Sequence, residues 1–169
     1  MFEDQERAEA WIACGQRWFD NADPQIVLNI QMLGYAEPPI LALEAKLAKP
    51  LLEPATIDQG LRLMQCSALS IYWLFGLYEV LRTLKQRAPD RFPPLSQLFY
   101  EVEIARMPLA KHEVKGAPGY RKRDHYPTSV WQPETGRVGW HVFDPLAEQM
   151  VTVSRSDIAD RFLAIRCAD

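Results

Sequence analysis

Up to about residue 110 the apolar residues recur at spacings of three and four, and beyond residue 128 they alternate, so helices are predicted first and strands after them. Ala8, Trp11, Ile12, Trp18 and Phe19 lay one apolar stripe along a predicted helix from Glu3 to Asp20. Asp23-Pro24 then offers an N-cap and a first-turn proline for a short helix carrying Ile26, Val27, Ile30 and Leu33, with Gly34 placed to end it. Pro38-Pro39 is expected to break the chain again. Ile40 to Leu47 reads as another short helix, closed off ahead of Lys49-Pro50.

A long helix is predicted from Ile57 to Arg87, opened by Thr56 as cap with Gln59 three residues on, the pattern of a capping box. Its middle, Leu63 to Leu81, is apolar nearly all round, yet Gln65, Ser67, Ser70, Gly76 and Glu79 interrupt it, which argues against a membrane span. Such a helix finds cover inside a bundle and a dimer interface, so a homodimer through the 57–87 helix is expected, and no membrane. Pro89 and Pro93-Pro94 separate it from a helix carrying Leu95, Leu98, Phe99 and Val102, and the short connection implies antiparallel packing.

Beyond Gly116-Ala117-Pro118-Gly119, Val138, Trp140 and Val142 alternate with Arg137, Gly139 and His141, and Val151 with Thr152 before Val153. His141 is expected to face solvent. Pro133 to Gly136 makes one hairpin turn and Asp144 to Glu148 the next. Ser154 caps a closing helix, with Asp157 in its first turn and Val153 against Ile158 as a hydrophobic staple. The expected fold is mainly α: an antiparallel helical bundle over 1–115, with a small C-terminal antiparallel β-meander and closing helix over 120–169 covering one side or end of it.

The chain has 169 residues, 48% apolar and 24% charged, which suits one domain with a real core and excludes a disordered tail or a disulfide miniprotein. Cys14, Cys66 and Cys167 lie far apart without a Cys-x-x-Cys pair and read as reduced thiols. The acidic, polar start lacks the pattern of a signal peptide, so a cytoplasmic location is expected. Charge is uneven: residues 1–60 carry 4 basic and 10 acidic groups, residues 61–169 carry 15 and 12. Lys111, Lys115, Arg121, Lys122 and Arg123, with His125, form a local basic strip suited to tracking a phosphate backbone, or a loop charged for solubility.

Phosphate-loop, dinucleotide, nucleophile-elbow and zincin patterns are absent, and the histidines at 112, 125 and 141 are too widely spaced for a local metal pair. No metal and no cofactor are expected. There remains Glu103 to Glu113, in which Arg106 precedes His112 by six positions at the end of the helix after the long one. This segment, with the preceding helix from Thr56, resembles the HEPN family (higher eukaryotes and prokaryotes nucleotide-binding), whose helical bundles carry an Arg-x(4–6)-His motif near a helix end. The resemblance spans about residues 56–115. It implies a metal-independent endoribonuclease, a toxin-type or defence effector that dimerises so that two motifs face each other, with an antitoxin or other protein as partner.

By the same resemblance, Arg106 would hold the scissile phosphate and His112 would move the ribose 2′-hydroxyl proton, leaving a 2′,3′-cyclic phosphate. A guanidinium suits phosphate, histidine titrates near neutral pH, and RNA carries its own nucleophile. This chain departs from the family at Met107, where a polar residue is common, and at Pro108, which is expected to interrupt the helix. The plainer alternative pairs Arg106 with Glu79, Glu101 or Glu103. Glu79, Arg82 and Tyr72 on the long helix are candidate supporting residues, Glu79 orienting the motif or pairing with Arg82. Two other readings stand beside catalysis: a non-catalytic nucleotide- or RNA-binding module, and a protein-interaction module using exposed Trp131 and Trp140.

Overall fold

The computed structural model describes residues 2–18, 24–48, 56–111 and 127–165. Among these, helices α1 (Phe2–Arg17), α2 (Pro24–Leu47), α3 (Ile57–Arg87) and α4 (Ser96–Lys111) precede strands β1 (Thr128–Trp131), β2 (Val138–Asp144) and β3 (Gln149–Ser154) and a closing helix α5 (Arg155–Ala164). The mainly α class, the small antiparallel sheet and the final helix are as expected. The first helix ends at Arg17, short of the predicted Asp20.

The main correction lies in α2, which is one helix where two short ones were predicted: neither Gly34 nor Pro38-Pro39 ends it. The buried positions Ile26, Ile30, Leu33, Glu37, Ile40, Glu44 and Leu47 keep a 4–3 spacing straight through the prolines. Pro38 and Pro39 are exposed, so their rings project to solvent while the packed face is unbroken. Two lost backbone hydrogen bonds are outweighed by tertiary packing on either side of them. Trp73 Nε1 donates to the Leu33 carbonyl at 3.1 Å, and Cys66 Sγ lies 3.9 Å from the Ile40 carbonyl, which also makes α2 and α3 antiparallel. Gly34 instead lets α1 approach, since a Cβ there would stand 2.5 Å from the Trp11 Cβ.

α3 begins as predicted, with both halves of the capping box formed: Gln59 N donates to Thr56 Oγ1 at 3.2 Å and Thr56 N to Gln59 Oε1 at 2.9 Å. Two 3-10 turns, Pro89–Arg91 and Pro93–Leu95, reverse the chain into α4. Lys85 lies over the Phe99 ring at 4.9 Å and Tyr78 meets Arg106 at 4.6 Å, so α3 and α4 run antiparallel, with Tyr78 also stacked on Phe99 at 5.7 Å.

The strands form a meander in the order β1-β2-β3, with Trp140 paired to Ser129 on one side and Val153 on the other. Gly136, at φ 70°, closes the first turn by donating to the Gln132 carbonyl at 2.8 Å. Asp144 accepts from the amides of Leu146 and Ala147 across the second. Ser154 caps α5 through the Asp157 amide at 3.4 Å, and Val153 and Ile158 are both buried, as the staple requires.

Helices and sheet share one hydrophobic cluster that runs from Trp11 to Phe162. Trp11 sets its edge on Trp73 and lies 5.8 Å from Phe162, so α1, α3 and α5 meet at one aromatic contact. Trp140 is fully buried, which overturns its expected exposure: on the central strand it shares the inward face with Val138 and Val142. Trp131 is half-buried, and so is His141, which was expected in solvent. Among the described residues, α2 rather than α3 is long and apolar enough to cross a membrane by length and composition, with 33% of its apolar window buried.

Candidate functional site

α4 carries its helical hydrogen bonding past Pro108 to Lys111, which corrects the expectation that the proline interrupts it. Pro108 is buried, together with Leu98, Phe99, Val102, Ile104 and Ala105, so packing holds the last turn where backbone bonding alone would release it. Arg106 lies on the flank of that buried face and is half-exposed. Its guanidinium sits over the Tyr78 ring of α3, 4.6 Å from the centroid, and Nη1 lies 3.8 Å from Met107 Sδ. A stacked guanidinium keeps its in-plane N–H groups available to an anion.

Two of the three carboxylates proposed as its partners, Glu79 and Glu101, are engaged elsewhere. Glu79 accepts from Arg82 at 2.8 Å one helical turn away, and Glu101 takes both terminal nitrogens of Arg161. Of the three supporting candidates, Glu79 and Arg82 therefore pair with each other on the surface of α3, and Tyr72 is exposed on the groove side, facing α2. Lys111 is exposed at the end of α4. His112, Lys115, Arg121, Lys122, Arg123 and His125 lie outside the described residues.

A buried charge cluster is the feature that sequence reasoning missed. Arg155, at 0% exposure, donates from Nη1 to Glu37 at 2.7 Å and from Nη2 to Glu44 at 2.9 Å, with its plane 5.6 Å from the Trp73 ring centroid. Glu37 also accepts from Arg7 Nε and Nη2 and from Trp11 Nε1, at 2.7, 2.8 and 2.7 Å. Glu44 accepts the Val138 amide at 3.3 Å, tying the sheet to α2. The signal was available: both glutamates fall in the apolar register of α2, seven residues apart, where only a cation from elsewhere could justify them.

Burial pushes the Glu37 carboxyl up, but the Arg7 hydrogen bonds and the Arg155 charge outweigh it and hold the group below the ordinary carboxylate range. Four donors occupy its lone-pair directions, so Glu37 has no room to act as a base. The cluster is a structural lock. Beside it, a cleft of about 300 Å³ is lined by Arg7, Glu44, Arg137, Ser156 and Asp160. Arg7 is bonded to Asp160 at 2.7 Å and Arg137 to Asp157 at 2.9 Å, so each cation at this cleft already carries a carboxylate. Among the described residues no three His, Cys, Asp or Glu side chains converge to hold a metal.

The end of α4 thus carries Arg106 over Tyr78, with Lys111 exposed beyond it. Comparison with known proteins returned no matching family model, no matching curated protein and no matching solved structure.

Proposed function

We propose that this chain is a metal-independent RNA-cleaving effector of HEPN-like type, with its site at the end of α4. The observation that carries the reading is the position of Arg106: half-exposed over Tyr78, while Glu79 and Glu101 are held by Arg82 and Arg161. Arg106 binds the scissile phosphate through paired N–H donors and offsets charge as it grows on the non-bridging oxygens. His112 takes the proton of the ribose 2′-hydroxyl as its oxygen bonds to phosphorus. The bond from phosphorus to the 5′-oxygen breaks, and that oxygen takes a proton from solvent water on leaving. A 2′,3′-cyclic phosphate and a 5′-hydroxyl end result. Lys111 and the basic strip beyond it contribute salt-sensitive backbone contacts.

Cleavage of a mixed RNA pool in EDTA by wild type, Arg106→Ala and His112→Ala tests this. Activity lost in both variants, with helical content kept, is the expected result; an intact RNA pool with wild type would sink the reading. A second reading, RNA binding without turnover, is favoured by the apolar Met107 lying against the guanidinium. It predicts affinity that weakens with salt and no cleavage products.

A further inference from the structure

α2 and α3 meet beneath an open groove that neither the core nor the site on α4 uses. Leu33, Leu69, Trp73 and Gly76 floor this groove of about 410 Å³, and exposed Met32 and Tyr72 stand as its walls. The volume falls within the range of small-molecule sites, and the lining is of the kind such sites have, apolar and aromatic with a few placed polar groups. Gly76 keeps the floor open: a Cβ there would stand 2.9 Å from Leu33 Cδ2, in the space between the helices. The groove opens on the α2 side of α3, whereas Arg106 meets that helix from α4.

The polar groups gather at one end. Trp73 bonds the Leu33 carbonyl and Cys66 approaches that of Ile40, so the antiparallel helices bring Asn29, one turn before Leu33, near Glu79, while Ala36 and Leu69 lie at the other end. Leu69 and Glu79 are roughly 15 Å apart along α3. Arg82 Nε and Nη2 both bond Glu79 Oε2, at 2.8 Å, which leaves Oε1 without a donor among the described residues. Asn29 Oδ1 accepts from Gln25 at 3.1 Å and retains a second lone pair. Two acceptors with spare capacity thus share one end of an apolar groove, and no Lys or Arg is among its described lining residues. A carboxylate or phosphate there would meet the Glu79 charge with no lining cation to offset it.

We propose that the α2–α3 groove binds a small aromatic amine, its ammonium donating to Glu79 Oε1 and Asn29 Oδ1 and its ring lying along Trp73 and Gly76 between Met32 and Tyr72. An ammonium carries three donors and no acceptor, which is what a pair of acceptors calls for. A flat ring suits a floor made of glycine, and Met32 and Tyr72 offer it sulfur–aromatic and ring–ring contacts. Burial of the ring supplies most of the affinity, and the charge-assisted hydrogen bonds set its direction in the groove. This site is separate from RNA cleavage and stands without it.

Titration calorimetry of the full chain with tryptamine, its alcohol analogue tryptophol and indole-3-propionate tests size and charge together. Tryptamine is expected to bind at one site with Kd below about 1 mM, tryptophol about tenfold more weakly and indole-3-propionate more weakly still. Glu79→Gln should weaken tryptamine about tenfold and leave tryptophol unchanged, whereas Arg82→Gln, which frees Oε2, should tighten tryptamine. Both side chains are exposed, so helical content should be kept. Ala36→Trp, at an exposed position where the new ring fills the groove, should abolish binding of all three probes, and Leu61→Ala, exposed on α3 outside the groove, should abolish none. Absence of saturable tryptamine binding overturns the proposal. Three probes that bind alike would mark a merely apolar face, open to a chain or a bilayer, and overturn it too, as would tryptamine binding undiminished by Glu79→Gln or Ala36→Trp.

Discussion

Arg155 Nη1 and Glu37 Oε1 stand 2.7 Å apart, although 118 residues separate them in the chain. The contact closes the fold: α5 is pinned to the centre of α2, and through Glu44 and the Val138 amide so is the sheet. Arg155→Met leaves two buried carboxylates short of their shared cation and is expected to cost about 3–5 kcal/mol. Urea unfolding measures it. Adding Glu44→Gln to Arg155→Met should recover part of the loss, because one of the orphaned charges goes with it.

Stability should fall on the acid side. Glu37 titrates below its ordinary value when folded, so between the folded value and about 4.3 the unfolded chain binds more protons and stability rises with pH. The contribution is complete above the unfolded pKa and is lost as pH falls through the folded one. Glu37→Gln should flatten that limb in urea midpoints taken against pH. On the alkaline side, burial and then the Glu44 charge push the Cys66 thiol up to about 11. Its contribution is present below about 8.5 and is lost as pH rises toward the folded value.

Replacing both Pro38 and Pro39 by alanine should stabilise the protein. Both are exposed inside a continuous helix, each removes a hydrogen bond, and alanine is the better helix former. A gain of roughly 1–3 kcal/mol in thermal melts is expected, after allowing for the greater freedom of the unfolded chain without proline. A loss would show that the prolines shape α2 in a way its packing needs.

Three glycines should respond in three ways. Gly34→Ala forces a Cβ to 2.5 Å from Trp11 and should cost about 1–3 kcal/mol or more. Gly136→Ala meets the Glu44 carbonyl and a left-handed backbone at once, so it should be the worst of the set. Gly60→Ala, with open space around it on α3, should gain up to about 1 kcal/mol. Calorimetry on the set gives the order.

Arg106→Ala should change the melting temperature only modestly, since a half-buried cation–π contact is worth about 0.5–2 kcal/mol. Any loss of RNA cleavage or binding in that variant then belongs to the site and not to the fold. A large fall in stability would assign Arg106 a structural role instead.

Elements whose information is local were legible from the residues. The α3 cap, the two hairpin turns and the start of α5 each rest on a few neighbours: Thr56 with Gln59, Gln132 with Gly136, Ser154 with Asp157. Proline and glycine in α2 were misread because their local preference is for a break, while the 4–3 spacing of buried positions around them carries more energy and was the better guide. At the candidate site, sequence placed Arg106 at the right helix end. It could not place Tyr78 under the guanidinium, because that contact joins two helices.

By itself, then, the sequence determined where most helices and strands begin, which faces are apolar, and the order from bundle to meander to closing helix, all consequences of short-range spacing and capping. Tertiary structure alone decided that α2 runs unbroken, that Trp140 is core, and that Arg155 neutralises Glu37 and Glu44. Each of these is a competition between a local preference and contacts made by residues far away in the chain. A window of the sequence can show that such a position wants burial or a partner but not which partner it finds, because the energy that settles it comes from burial and from charge pairing that exist only once the helices have met.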